Sequence, residues 1–196
     1  MKIFARLIAT AALLLLAGCA NQPREEMQTV SNVDISKFMG NWYVIANIPT
    51  FFERNAYNPI ERYALNDDGT IDTTFVFNEK TADGALREMN ARGFVRPGSG
   101  NAVWGMQFVW PIKADYRIVY LDPQYQYTII GRNKRDYLWI MSRHAGIPDE
   151  KLDEMIRMAV ELGYDASAIR ITSWQMSSRQ SANDEEPGQS REWEAG

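Results

Sequence analysis

Between residues 41 and 143 the chain alternates short runs of β-branched and aromatic residues with tight clusters of Gly, Pro, Asp and Asn. Runs of this length and spacing belong to all-β barrels and sandwiches. They predict eight strands, at 41–48, 60–66, 70–78, 86–95, 101–110, 116–122, 125–131 and 137–143. Asp67-Asp68-Gly69, Ala82-Asp83-Gly84, Arg96-Pro97-Gly98-Ser99-Gly100, Asp122-Pro123 and Asn133-Lys134 supply the turns, so most connections are hairpins. The two-residue period also sorts the faces. On the fifth strand Trp104, Met106, Phe108 and Trp110 share one side. On the third, Phe75 and Phe77 point away from Thr74 and Val76, and on the eighth Tyr137, Trp139, Met141 and Arg143 fall together.

The rhythm changes after the eighth strand. Over 148–162, "PDEKLDEMIRMAVEL", Leu152, Met155, Ile156 and Ala159 recur at helical spacing. Asp149 and Glu150 stand in the first turn and Gly163 follows the end, which predicts one amphipathic helix. A last short strand is expected at 168–174. Eight antiparallel strands can close into a barrel just wide enough for one small ligand, although the same aromatics would also fill a solid core.

The ends of the chain read differently. Lys2 and Arg6 precede an apolar run over 7–17, too short for the roughly 20 residues of a membrane-spanning helix and suited to a secretory signal. Leu16-Ala17-Gly18-Cys19 contains the chain's single cysteine and resembles a bacterial lipobox. That resemblance implies cleavage before Cys19, diacylglycerol on its thiol and a third acyl chain on the new amino terminus, enough for stable anchoring. Ala20, rather than aspartate, then stands second, so the expected location is the periplasmic face of the outer membrane. Residues 1–18 are thus read as signal peptide, 19–32 as a lipidated polar tether, 33–176 as the folded domain, and 177–196, with five acids and two arginines, as a disordered acidic tail.

Composition narrows the chemistry. Losing residues 1–18 removes Lys2 and Arg6 and moves the net charge from −4 to −6, and no basic stripe suggests nucleic acid. With Cys19 lipidated the domain has no thiol, and His144 is the single histidine, so Cys/His metal clusters and a two-histidine catalytic pairing are excluded. Neither GxGxxG nor GxxxxGK[ST] occurs. No metal, cofactor or catalytic residue is expected.

Three motifs in order then carry a family resemblance over about 33–176. Gly40-Asn41-Trp42, followed by Tyr43, resembles the first signature of the lipocalins. "IPTFFERN" at 48–55 is similar to the first-loop segment of bacterial outer-membrane lipocalins and apolipoprotein D, and "DYLWIMSR" at 136–143 to the eighth strand of the bacterial group. Asp115-Tyr116 fits the core of the second signature, with Ala114 where threonine is usual. The resemblance implies an all-β fold, an eight-stranded antiparallel up-and-down barrel forming a calyx, with one C-terminal α-helix. It implies that Gly40, Trp42 and Arg143 close one end, the guanidinium lying over the indole. The other end stays open, framed by the loop at 49–59 with Phe51, Phe52 and Tyr57, as ligand gate or as loop anchors.

The function implied is lipid binding, with a fatty acid or lysophospholipid stored or transported for envelope maintenance. The expected calyx wall is Val44, Phe52, Phe75, Phe77, Trp104 and Met106, with Phe108, Tyr116, Ile118, Tyr127 and Trp139. Hydroxyls of Tyr116, Tyr120, Tyr127 and Tyr137 are available to hold a head group. Two other readings remain: a lipid-modifying enzyme using Asp72, Glu79, Glu88 or Asp115, and a solid-barrel surface protein that binds a partner through its loops. Some bacterial relatives dimerise, so a homodimer is open. Cys19→Ser should leave the protein without acyl chains. Wild type is expected in the detergent phase on partitioning and the variant in the aqueous phase; equal detergent partitioning would contradict the lipobox reading.

Overall fold

A computed structural model of the chain describes residues 26–177 and residue 181. The signal and lipidation readings at 1–19, and nearly all of the tail reading, lie outside the described residues. Eight strands follow one another: β1 (Gly40–Ile48), β2 (Ala56–Leu65), β3 (Ile71–Glu79), β4 (Leu86–Val95), β5 (Val103–Val109), β6 (Ile112–Leu121), β7 (Tyr127–Gly131) and β8 (Leu138–Ser142). Each pairs antiparallel with the next, and β1 pairs with both β8 and β2, so the sheet closes into a barrel. Closure removes the long edges that an open eight-stranded sheet would leave. A short helix, α1 (Ile35–Phe38), precedes β1, and α2 (Asp149–Glu161) follows β8.

Most strand boundaries match the hydrophobic pattern, but β2 and β6 each begin four residues earlier than it suggests. The expected strand at 168–174 shrinks to β9 (Arg170–Ile171), which pairs with Ala46 and Asn47, and residues 173–177 turn helical. Side-chain bonds replace the ladder there. Ser173 Oγ accepts from the Asn58 amide at 2.7 Å, Trp174 Nε1 donates to the Pro59 carbonyl at 3.0 Å, and Gln175 bonds both backbone groups of Ile147.

Two apolar cores lie on opposite sides of the sheet. Outside, Leu152, Met155 and Ala159 of α2 pack on Ile45, Ala46, Ile129, Leu138 and Ile140. Ile45 and Ala46 are successive residues, and a bulge between Val44 and Ala46 gives both to this outer core. Gly163, at φ +91, ends α2: its N–H bonds to the Val160 carbonyl and that of Tyr164 to Ala159, a left-handed glycine cap. The stretch before α1 is also docked. Met27 is buried beside Gly131 and Tyr164, and the Val30 and Val33 amides donate to Ile118 and Gly100.

Inside, one end of the barrel is filled. Asp34 caps α1 by accepting from the Lys37 amide, and the helix delivers Phe38 into a cluster with Trp42, Tyr63 and Trp104. Arg143 lies over Trp42, 3.8 Å from the ring centre. Its Nη2 donates to the Lys37 and Phe38 carbonyls, Nη1 to Asn41 and Nε to Tyr125. Trp42 Nε1 also donates to the Phe38 carbonyl, at 2.8 Å. Those carbonyls at the end of α1 have no helical partner of their own. Gly40 stands at φ +93, where a side chain would be strained and its Cβ would meet the guanidinium at 3.5 Å. Trp42→Ala should cost ~3–5 kcal/mol of stability by denaturant titration. Arg143→Lys should be destabilised as well, because an ammonium cannot fork to four carbonyls while stacking on an indole; wild-type stability in Arg143→Lys would refute that account.

Candidate functional site

Above this floor the barrel is hollow, with a cavity of about 590 Å³. Its deep wall consists of Phe75, Met89, Met106, Ala114, Tyr116, Ile130, Trp139 and Met141, and its rim includes Phe51, Phe52, Phe108 and Val109. The size lies within the ~300–1,000 Å³ usual for small-molecule sites. Strand alternation explains the wall: each of Met106, Ile130, Trp139 and Met141 is an inward position whose neighbours face solvent or α2.

Of the residues expected to line a calyx, Phe52, Phe75, Met106, Phe108, Tyr116 and Trp139 border the hollow. Val44, Phe77 and Ile118 point inward but are packed in the core without bordering it. Trp104 does not line the hollow either. It is part of the floor, stacked on Tyr116 at 5.0 Å and donating from Nε1 to the Asn101 carbonyl at 2.7 Å. Tyr127 faces the other way: it stands three positions before the inward Ile130, so the two-residue period places it outside, with Lys151 of α2 5.3 Å from its ring. Tyr120 is likewise outside, whereas Tyr137 borders the hollow. Trp110 lies in the β5–β6 turn, 82% exposed.

In the first loop Phe51 and Phe52 are exposed, edge to face at 5.6 Å, and Tyr57 is already in β2. The strand carboxylates considered for catalysis are engaged by arginines. Asp72 pairs with Arg92, Glu79 with Arg87 and Glu88 with Arg62. Asp115 borders the hollow, but its carboxylate binds Arg117 Nε at 3.0 Å and accepts from the Asn133 amide.

The polar groups inside the cup are ones that the pattern did not single out. Glu61 on β2 stands opposite Trp42 on one side and Phe75 on the other, which fixes it on the inward face just above the floor. No described residue hydrogen bonds its carboxyl. Glu53 folds in from the first loop, 8% exposed, with Oε2 accepting from the Thr50 amide at 3.1 Å. Burial raises the Glu53 pKa to about 7, against the Thr50 hydrogen bonds and the neighbouring Trp139 indole, which favour the ionised form. Burial, with repulsion from Glu53, raises that of Glu61 well above the carboxylate range. Tyr63 and Tyr116 share a 2.8 Å hydrogen bond beside them, and burial keeps both phenols protonated far into the alkaline range. Among the described residues, four buried side-chain atoms lack a hydrogen-bond partner: Glu61 Oε2, Thr73 Oγ1, Arg132 Nε and Trp139 Nε1. All four residues border this hollow.

Three comparisons bear on the whole. The family model described as a lipocalin-like domain matches residues 33–173. "Temperature-induced lipocalin-1" of Arabidopsis thaliana is 35% identical over 164 residues, covering 76% of this chain and 83% of that protein. "Outer membrane lipoprotein Blc" of Escherichia coli K12 is 31% identical over 161 residues, covering 81% and 89%. In three dimensions, insecticyanin of the tobacco hornworm Manduca sexta superposes with a TM-score of 0.61 at 17% identity, over 79% of this chain and 88% of that one.

The raised Glu53 pKa has a consequence for stability. As pH climbs from about 4.5 to about 7 the unfolded chain gives up this proton before the folded one does, so the fold loses stability across that window. The loss is on the order of 3 kcal/mol for Glu53, and Glu61 acts in the same direction. In melts across that range, Glu53→Gln should flatten the slope. An unchanged slope would mean that Glu53 ionises freely in the folded protein.

Proposed function

Since the chain belongs to the lipocalin-like family, we propose that it holds one lipid, a fatty acid or a lysophospholipid, in its barrel. In this reading it is tethered through Cys19 to the outer membrane, facing the periplasm, and stores or ferries that lipid in envelope maintenance. The observation that carries the reading is the hollow itself: a closed barrel, plugged by aromatics at one end and walled by Phe75, Met89, Met106 and Ile130, with an apolar rim. An alkyl chain entering it gains ~0.8 kcal/mol for each methylene removed from water, before the costs of ordering. The lipobox-like Leu16-Ala17-Gly18-Cys19 and the likeness to a protein named outer membrane lipoprotein support the anchor and its membrane. The four strand carboxylates considered for catalysis are turned to arginines.

Native mass spectrometry of protein purified without detergent should find one co-purifying lipid, and a long-chain fatty acid or lysophospholipid added to delipidated protein should change tryptophan emission through Trp139. Ala114→Phe, which pushes a ring into the hollow, should weaken binding about tenfold or more, or ~1.4 kcal/mol, with an unchanged circular dichroism spectrum. Delipidated wild-type protein that ignores every such lipid would refute the reading.

A further inference from the structure

Glu53 and Glu61 border the hollow without an ion-pair partner among the described residues. Arg132, the cation on the same hollow, follows β7 at the open end, with Nη1 on Asp136 at 3.3 Å, its guanidinium over Tyr137 and Nε unpartnered, whereas Glu61 pairs with Trp42 near the floor. Glu61 in particular accepts no hydrogen bond from any described residue, so its carboxyl is available to an occupant of the barrel. Buried polar groups without partners are rare in folded proteins; near the floor the unpartnered atoms are the acceptors Glu61 Oε2 and Thr73 Oγ1, whereas Arg132 Nε is a donor at the open end. The walls around Glu61 add a second preference. Tyr63, Phe75, Tyr116 and Trp139 line the same hollow, and a carboxylate set among aromatic rings is an environment that attracts an ammonium group. An anionic head in the same place would lie against two acids, each of which would have to keep its proton.

We propose that the hollow selects a long-chain amphiphile whose ammonium group enters first, held by Glu61 among the aromatic walls, with its chain running out past Met106 to the Phe52 and Phe108 rim. The proposal rests on the lipid-binding reading and adds the chemistry of the head and its direction. Desolvation disfavours the Glu61 carboxylate; an arriving ammonium favours it, so the ion pair forms with any proton on the carboxyl leaving to solvent. The groups that face this site are Glu53 from the first loop, Tyr63 along β2 and Tyr116 from β6. Asp115 and Arg132 border the hollow but are turned to Arg117 and Asp136. Amine binding should therefore tighten as pH rises, until the amine itself deprotonates.

The test compares dodecylamine, dodecanoate and dodecanol, each below its micellar concentration, on the full chain carrying Cys19→Ser so that no detergent is needed. Binding is read by tryptophan emission. At neutral pH dodecylamine should bind about tenfold or more tighter than either of the others, and in Glu61→Gln, folded by circular dichroism, the amine-to-alcohol ratio should fall to near one. Equal affinities, a preference for dodecanoate, or an amine preference that survives Glu61→Gln would overturn the proposal while leaving lipid binding intact. Failure of all three probes to bind would overturn both. Lysophosphatidylethanolamine against lysophosphatidylglycerol separates the two sources of an ammonium. A preference for the first identifies a lipid head group, and a preference confined to dodecylamine identifies a free long-chain amine.

Discussion

The barrel depends on how it closes at one end. A ring of eight strands cannot shut itself, and the chain entering β1 and leaving β8 brings unpaired backbone to the same place. Arg143 resolves both problems with one side chain. Its fork answers the carbonyls of Lys37, Phe38, Asn41 and Tyr125, and its flat face covers Trp42. A planar, always charged, five-donor group suits that task. The guanidinium ties α1 to β1 and β8, and α1 in turn carries Phe38 under the barrel.

Because the plug is bulky, the rest of the interior need not be. Trp42, Tyr63 and Trp104 occupy the floor with Phe38, and higher inward positions are shared among Met, Phe and Ile side chains that leave space between them. Stability lost to that space is offset on the outer face, where α2, β9 and the segment around Met27 cover apolar residues that a bare barrel would expose to water. Two cores on opposite sides of one sheet allow the middle to stay empty.

Inside the cup, local rules are broken in one place. A carboxyl on an inward strand position, without a partner among the described residues, conflicts with the patterning of an apolar interior. Glu61 sits between Trp42 and Phe75 in register, and Glu53 is folded in behind exposed phenylalanines. Conflicts of this kind concentrate at functional sites, and the four unpartnered atoms around the same hollow place the conflict there.

Strand number, strand order, α2 and the pairing of Trp42 with Arg143 were legible in the sequence, because each leaves a periodic or motif-like trace along the chain. Phe75, Met106 and Trp139 could be placed inside by alternation alone. Glu61 could not, since the run Ile60 to Leu65 carries apolar residues on both of its alternating faces; only its pairing with Trp42 in β1 settles which face turns in. Trp104 lies on the correct face, yet whether that face meets a hollow or a floor depends on height within the barrel, which is set by α1 packing from below. Tyr127 is not placed by the sequence, because β7 is too short for alternation to declare a face, and its outward orientation follows from pairing with β8 under α2. Sequence period determines which residues alternate; register and closure, which join segments distant along the chain, decide what each alternating side chain meets.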